Sequence, residues 1–182
     1  MKKLMLVCCL LCGSTQIARA VDYNPSDETL QKAIDYGKKG KGRDFDSFRR
    51  EWFRLVGVHE TSVNFVLQTP FFRAAVEARD AAIKYSNFSI SDATRAVAKN
   101  TGTLAVTAVT HADASTLEDM KLLIKVGDNV IHASSERKEE VGNGLAGIEA
   151  SFDDIPPDAK ITVLLIKNNR EIKATYDLKK VR

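Results

Sequence analysis

The spacing of apolar residues changes once along the chain. Over residues 22–100 it is mostly helical, and over 101–182 it alternates, so helices are expected first and strands after. The first helix is predicted over 26–36. Pro25 and Ser26 open it, Asp27 and Glu28 suit its positive end, and Leu30, Ala33 and Ile34 form its stripe. Gly37 is expected to stop it, leaving 37–43 (GKKGKGR) as a flexible basic loop.

A second helix is predicted over 44–56, because Phe45, Phe48, Trp52, Leu55 and Val56 fall on one helical face before Gly57. Aromatics at that spacing point to core rather than to an exposed ligand face. Residues 61–68 put Val63, Phe65 and Leu67 on one side of a strand. Thr69 then caps a third helix with Pro70 in its first position. That helix, expected over 70–85, carries Phe71, Ala75, Ala78, Ala82 and Tyr85 on a stripe narrow enough for close packing. A short fourth helix follows over 91–99.

From 103 onward, strands are expected at 103–111, 121–126, 130–133, 145–152, 161–167 and 171–178. Gly127-Asp128-Asn129 and Asn168-Asn169 mark hairpin turns. The stretch 135–144 (SERKEEVGNG) reads as a polar connection. The whole is an α+β fold: N-terminal helices packed on a C-terminal antiparallel β-sandwich of six or seven strands, of immunoglobulin-like size but without its Cys–Trp–Cys signature. It divides into 1–20, a helical region with one strand over 21–100, and a sandwich region over 101–182.

Residues 1–20 read as a secretory leader. Lys2 and Lys3 precede the apolar run LMLVCCLLC, and Ala18-Arg19-Ala20 offers a cleavage site. The apolar run is too short to span a bilayer, which takes about 20 residues. No small residue precedes Cys8, Cys9 or Cys12, which disfavours a lipid-anchored form. The expected destination is export, to the periplasm or beyond the cell.

Cleavage before Val21 removes all three cysteines, so the mature chain has no disulfide, thiol nucleophile or cysteine metal ligand. It also removes Lys2, Lys3 and Arg19, which carry the whole formal net charge of +3. The remainder is neutral, and a globally basic, nucleic-acid-binding protein is excluded from the expectation.

Within that neutral chain the charge is uneven. Lys38, Lys39, Lys41, Arg43, Arg49, Arg50 and Arg54 are opposed locally only by Asp44, Asp46 and Glu51. Lys38, Lys39, Lys41, Arg43, Arg49 and Arg50 are the candidate anion-binding residues, with Gly37, Gly40 and Gly42 freeing backbone amides to approach an anion. The alternative is a solvated loop beside a helix whose arginines pair with acids elsewhere. Gly37 and Gly42 have P-loop spacing, but Arg43-Asp44 stands where Lys and Ser or Thr belong, so a P-loop is rejected.

The other chemistry is scattered. His59, His111 and His132 have no zinc-site spacing, although His111, Asp113 and His132 are candidates to converge as a hydrolytic site. Asp153, Asp154 and Asp158 lack the EF-hand pattern. No G-x-S-x-G occurs. No cofactor or metal is expected. The favoured expectation is an exported, non-enzymatic binding or structural protein whose partner is another protein or an anionic surface. The alternatives are the hydrolase, or a docking module using a sheet edge at 103–111 or 171–178.

Overall fold

A computed structural model describes residues 20–182. The leader expectation for 1–20 falls outside the described residues, apart from Ala20. Helices α1 (Asp27–Gly40), α2 (Phe45–Arg49), α3 (Pro70–Ile83) and α4 (Ile90–Val97) precede most of the strands, and α5 (Ala114–Asp119) falls among them. The strands are β1 (Phe53–Val56), β2 (Val63–Gln68), β3 (Leu104–His111), β4 (Lys121–Val126), β5 (Asn129–His132), β6 (Ser135–Gly142), β7 (Leu145–Phe152), β8 (Lys160–Lys167) and β9 (Arg170–Asp177). They form two antiparallel sheets, ordered β1-β2-β3-β7-β6 and β5-β4-β8-β9. The fold is α+β, with nine strands among the described residues rather than six or seven.

Alternation dictates how the sheets face. Val63, Phe65 and Leu67 of β2, Leu104, Val106 and Ala108 of β3, and Ile148, Ala150 and Phe152 of β7 share the inner face of the first sheet. Leu122, Ile124, Ile161, Val163, Leu165, Ala174 and Tyr176 supply the second, and both sets belong to one buried core. Tyr176 ties the layers together by donating its hydroxyl to the Phe65 carbonyl at 3.1 Å. Asn168 and Asn169 turn the β8–β9 hairpin with positive φ, the backbone their side chains tolerate best.

Four expectations are corrected. Gly37 does not stop α1, which continues to Gly40, so Lys38 and Lys39 are helical. Gly37 and Gly40 do not present amides to an anion. A Cβ on Gly37 would stand 2.2 Å from the Ala75 carbonyl oxygen and one on Gly40 would stand 2.5 Å from the Phe48 ring, so both serve close packing. The predicted second helix ends at Arg49, and residues 53–56 become β1, hydrogen-bonded to β2. Trp52 lies between them and is fully buried, as its spacing suggested, whereas Phe45 is 39% exposed. Residues 135–142, read as a connection, are edge strand β6. Its inward-facing Glu136 accepts from the Leu122 amide, and Lys138 donates to the Glu118 carbonyl, so both charged side chains find main-chain partners.

The helices form a layer of their own. Tyr36 meets Phe71 (5.9 Å between ring centroids), Gly37 meets Ala75 and Ala78, and the Gly40 carbonyl accepts from Arg79 Nε at 3.2 Å. The partners advance in the same order on both helices, Tyr36 with Phe71, Gly37 with Ala75 and Ala78, Gly40 with Arg79 and Lys41 with Tyr85, so α1 and α3 run in the same direction. The alanine stripe of α3 is what permits that approach.

The helix starts are sealed by side chains: Ser26 for α1, Asp44 for α2, Thr69 for α3, Ser89 with Asp92 in a reciprocal box for α4, and Asp113 for α5. Hydrogen bonds from Ser47, Ser89 and Thr116 hold the carboxyls of Asp44, Asp92 and Asp113 below their usual range. A carboxyl depressed by folding stabilises the fold above its ordinary pKa, and that contribution is lost as pH falls through the lowered value. Thermal unfolding midpoints are therefore expected to drop as pH falls below about 4. Asp113→Asn, which still caps but does not titrate, is expected to flatten that drop. An unchanged pH profile in this variant would show that the cap carboxylate contributes nothing.

Candidate functional site

The basic stretch sits where α1 ends and α2 begins. Arg79 of α3 fixes this junction by donating from Nε to the Gly40 carbonyl and from Nη2 to the Arg43 carbonyl at 3.0 Å. These are carbonyls at and just beyond the end of α1, where unpaired acceptors collect. The guanidinium also lies over the rings of Phe45 (5.2 Å) and Phe48 (5.4 Å). The segment from Lys38 to Arg43 is thus anchored by its backbone, and its side chains are left to solvent.

The six candidate residues divide into two sets. Lys38, Lys39, Lys41, Arg43 and Arg50 are exposed, and among the described residues none has a carboxylate within ion-pairing distance. Arg49 is committed elsewhere. It pairs with Asp46 (Nη2 to Oδ1, 2.7 Å) and lies between the rings of Phe53 (3.8 Å) and Phe45 (4.9 Å). Arg54 donates to the carbonyls of Arg50 and Phe53 and covers the Tyr176 ring.

Two cavities flank α2. An open one of about 600 Å³ is lined by Tyr36, Arg43, Ser47, Arg50, Glu51 and Arg182, among others. Glu51 and Arg182 pair within it, Nε to Oε2 at 3.0 Å, and this hydrogen bond holds the guanidinium above its ordinary pKa. Asp44 accepts from the Ser47 amide at 2.8 Å. That leaves Arg43 and Arg50 as cations on its wall without acidic partners among the described residues. The other cavity, about 320 Å³, lies between α2, α3 and the outer face of β2, walled by Phe45, Val66, Phe72 and Val76. Its two arginines are occupied, Arg49 by Asp46 and Arg73 by Glu149 at 2.5 Å.

The remaining candidates are dispersed. His111 ends β3 in one sheet and His132 ends β5 in the other, both are exposed, and neither lines either cavity. Asp113 caps α5, accepting from Thr116 and Ser115. Asp153 and Asp154 lie in the turn after β7, and Asp158 is 3.9 Å from Lys179. Among the described residues, no group of three His, Cys, Asp or Glu side chains is placed to hold a metal ion. Of the two proposed docking edges, 103–111 is interior, paired on both sides by β2 and β7, and is corrected. Residues 171–177 belong to β9, which pairs on one side with β8, and Leu178 starts the 3-10 turn that follows it.

No described helix is long and apolar enough to cross a membrane. Comparison of the chain with protein-family models, curated proteins and solved structures finds no match.

Proposed function

We propose that this chain is an exported, non-enzymatic binding or structural protein that contacts an anionic partner through the junction of α1 and α2. One observation carries the reading: five exposed cations, Lys38, Lys39, Lys41, Arg43 and Arg50, flank a junction whose backbone Arg79 fixes at Gly40 and Arg43, and they have no acidic partners among the described residues. The helix dipole favours lysines in the last turn of α1, which accounts for Lys38 and Lys39 by stability alone. The same effect reaches Lys41 and Arg50, the C-cap residues of α1 and α2, but does not account for Arg43, which lies between the two helices. Ammonium and guanidinium groups so arranged suit phosphate, sulfate or carboxylate groups on a repeating or extended surface.

Export rests on the leader-like residues 1–20. Val21, the first residue after the expected cleavage, is buried, and its nitrogen donates to the Pro157 carbonyl at 3.0 Å. Cleavage there would keep Val21, a core residue, in the mature chain and remove the exposed Ala20.

The protein is expected to be retained on immobilised heparin and to elute with salt, because exposed charges are screened beyond a Debye length of about 8 Å at physiological ionic strength. The triple reversal Lys38→Glu, Lys39→Glu, Lys41→Glu is expected to abolish retention with the unfolding transition preserved. Retention equal to that of the unsubstituted protein would refute the reading.

A further inference from the structure

The third helix ends on a residue that fold stability does not explain. The Ser86 amide donates to the Ala81 carbonyl at 2.8 Å and the Tyr85 amide to the Ala82 carbonyl at 3.4 Å. This is the paired closure that places the residue after the helix cap in left-handed backbone, a position normally filled by Gly or Asn. Here it is Tyr85, at φ +55. A bulky side chain at positive φ is strained, and residues held in such backbone concentrate at functional sites. Burial does not offset the strain, because Tyr85 is 93% exposed. Ile83, two residues earlier, is 46% exposed.

The parallel course of α1 and α3 brings this tip to the basic junction. Lys41 Nζ stands 5.9 Å from the centroid of the Tyr85 ring. Lys38, Lys39 and Lys41 from the end of α1, and Lys84 from the end of α3, are exposed and have no ion-pair partner among the described residues. The acid one turn before Lys84, Asp80, lies 3.8 Å from Arg79 instead. The ends of α1 and α3 therefore carry four exposed ammonium groups without carboxylate partners among the described residues, with Lys41 beside the exposed Tyr85 and the half-exposed Ile83 two residues before it.

We propose that this end docks on an anionic phospholipid surface, with the lysines at lipid phosphates and Tyr85 and Ile83 entering the headgroup layer. The inference rests on the anion-binding reading above and names its partner. Lysines next to a membrane are drawn to anionic leaflets, and their stems let the charge reach outward while the carbons stay against apolar matter. Tyrosine favours the same boundary, with its ring in the apolar layer and its hydroxyl in water. A soluble polyanion satisfies the lysines equally well. It offers nothing to Ile83 and gives no use for an exposed ring held on strained backbone, and this decides for the lipid surface.

The test is sedimentation of the exported protein with vesicles of phosphatidylcholine alone and of phosphatidylcholine with phosphatidylglycerol at about three to one, run beside heparin retention. The unsubstituted protein is expected to bind the anionic vesicles and not the neutral ones. Tyr85→Gly combined with Ile83→Ser is expected to weaken vesicle binding by about ten-fold or more, from the apolar area removed, while heparin retention is unchanged. Tyr85→Gly alone is expected to raise the thermal midpoint, because glycine relieves the left-handed strain; this shows the variant folded. Heparin retention with no vesicle binding would overturn the lipid inference and leave the broader reading standing. Binding to neither would overturn both. Vesicle binding that survives the double substitution would also overturn the inference, since the ring and the isoleucine would then contribute nothing.

Discussion

Trp52→Ala is expected to destabilise the protein by about 3–5 kcal/mol, the range for removing a large buried aromatic. Trp52 is fully buried where three parts of the fold meet. Its ring stacks on Phe72 at 4.8 Å and Phe71 at 6.2 Å and meets Tyr36 edge-on at 5.9 Å, joining α1 to α3. Its carbonyl accepts from the Leu67 amide at 2.9 Å, which ties it to β2. Its indole Nε1 donates to Thr69 Oγ1 at 3.1 Å and to the main-chain oxygen of Arg182 at 2.9 Å. Thr69 Oγ1 itself donates to that oxygen at 2.7 Å and accepts from the Phe72 amide, capping α3. Alanine thus leaves a cavity and takes one of two donors from each of two acceptors, the buried Thr69 Oγ1 and the part-buried Arg182 oxygen. Trp52→Phe keeps most of the ring packing and removes only the donor, and is expected to cost about 1 kcal/mol. Urea unfolding checks both, as a shift in midpoint at constant slope. A loss below about 1 kcal/mol for Trp52→Ala would mean that the site collapses around the deletion.

Gly37→Ala is expected to destabilise the fold by about 1–3 kcal/mol through overpacking, although helix propensity favours alanine at an interior position by roughly 1 kcal/mol. The two effects oppose each other, so the sign of the result decides between them. The new methyl would stand 2.2 Å from the Ala75 carbonyl oxygen and 2.9 Å from Ala78 Cβ, and backbone cannot rotate aside as a long side chain can. Either α1 lifts from α3 or the overlap is borne as strain. Gly42→Ala is the matched control. A Cβ there meets nothing within 4 Å, and the change is expected to stay within about 0.5 kcal/mol. A stabilised Gly37→Ala would show that the α1–α3 contact yields readily.

The reason Gly37 misled as a helix stop lies in that contact. Glycine read locally ends helices, and what keeps it inside α1 is a carbonyl on a helix some 38 residues away in sequence. Ser26 and Thr69-Pro70, by contrast, act within one turn, and both helix starts were legible. The same division holds for the strands. Those buried on one side, such as β3, β7 and β9, carry the alternation that burial imposes. Edge strand β6 points charges to both sides and lacks it, as edges that resist pairing with other chains commonly do. β1 was hidden because Trp52, Leu55 and Val56 continue the helical spacing of Phe45 and Phe48 by coincidence, while its hydrogen bonds come from β2.

At the site, the density of lysine and arginine was legible because charge is a local property. The fates of adjacent residues were not. Arg50 faces solvent with no carboxylate partner among the described residues, whereas Arg49 lies over two rings and pairs with Asp46. The left-handed backbone of Tyr85, and its meeting with Lys41, leave no trace in residue spacing, because both follow from how α1 and α3 lie against each other.

The most direct test compares salt-gradient elution from heparin for the unsubstituted protein, the reversal Lys38→Glu, Lys39→Glu, Lys41→Glu, and a charge-matched control. The control, Lys99→Glu, Lys121→Glu, Lys160→Glu, reverses three exposed lysines on other parts of the surface that are free of ion pairs among the described residues. Both triples change net charge by the same amount, so a net-charge effect moves them together. The account predicts that the control stays bound to nearly the salt concentration that elutes the unsubstituted protein, while the 38–41 reversal passes unretained. Equal loss in both triples, or retention of the 38–41 reversal, would contradict it.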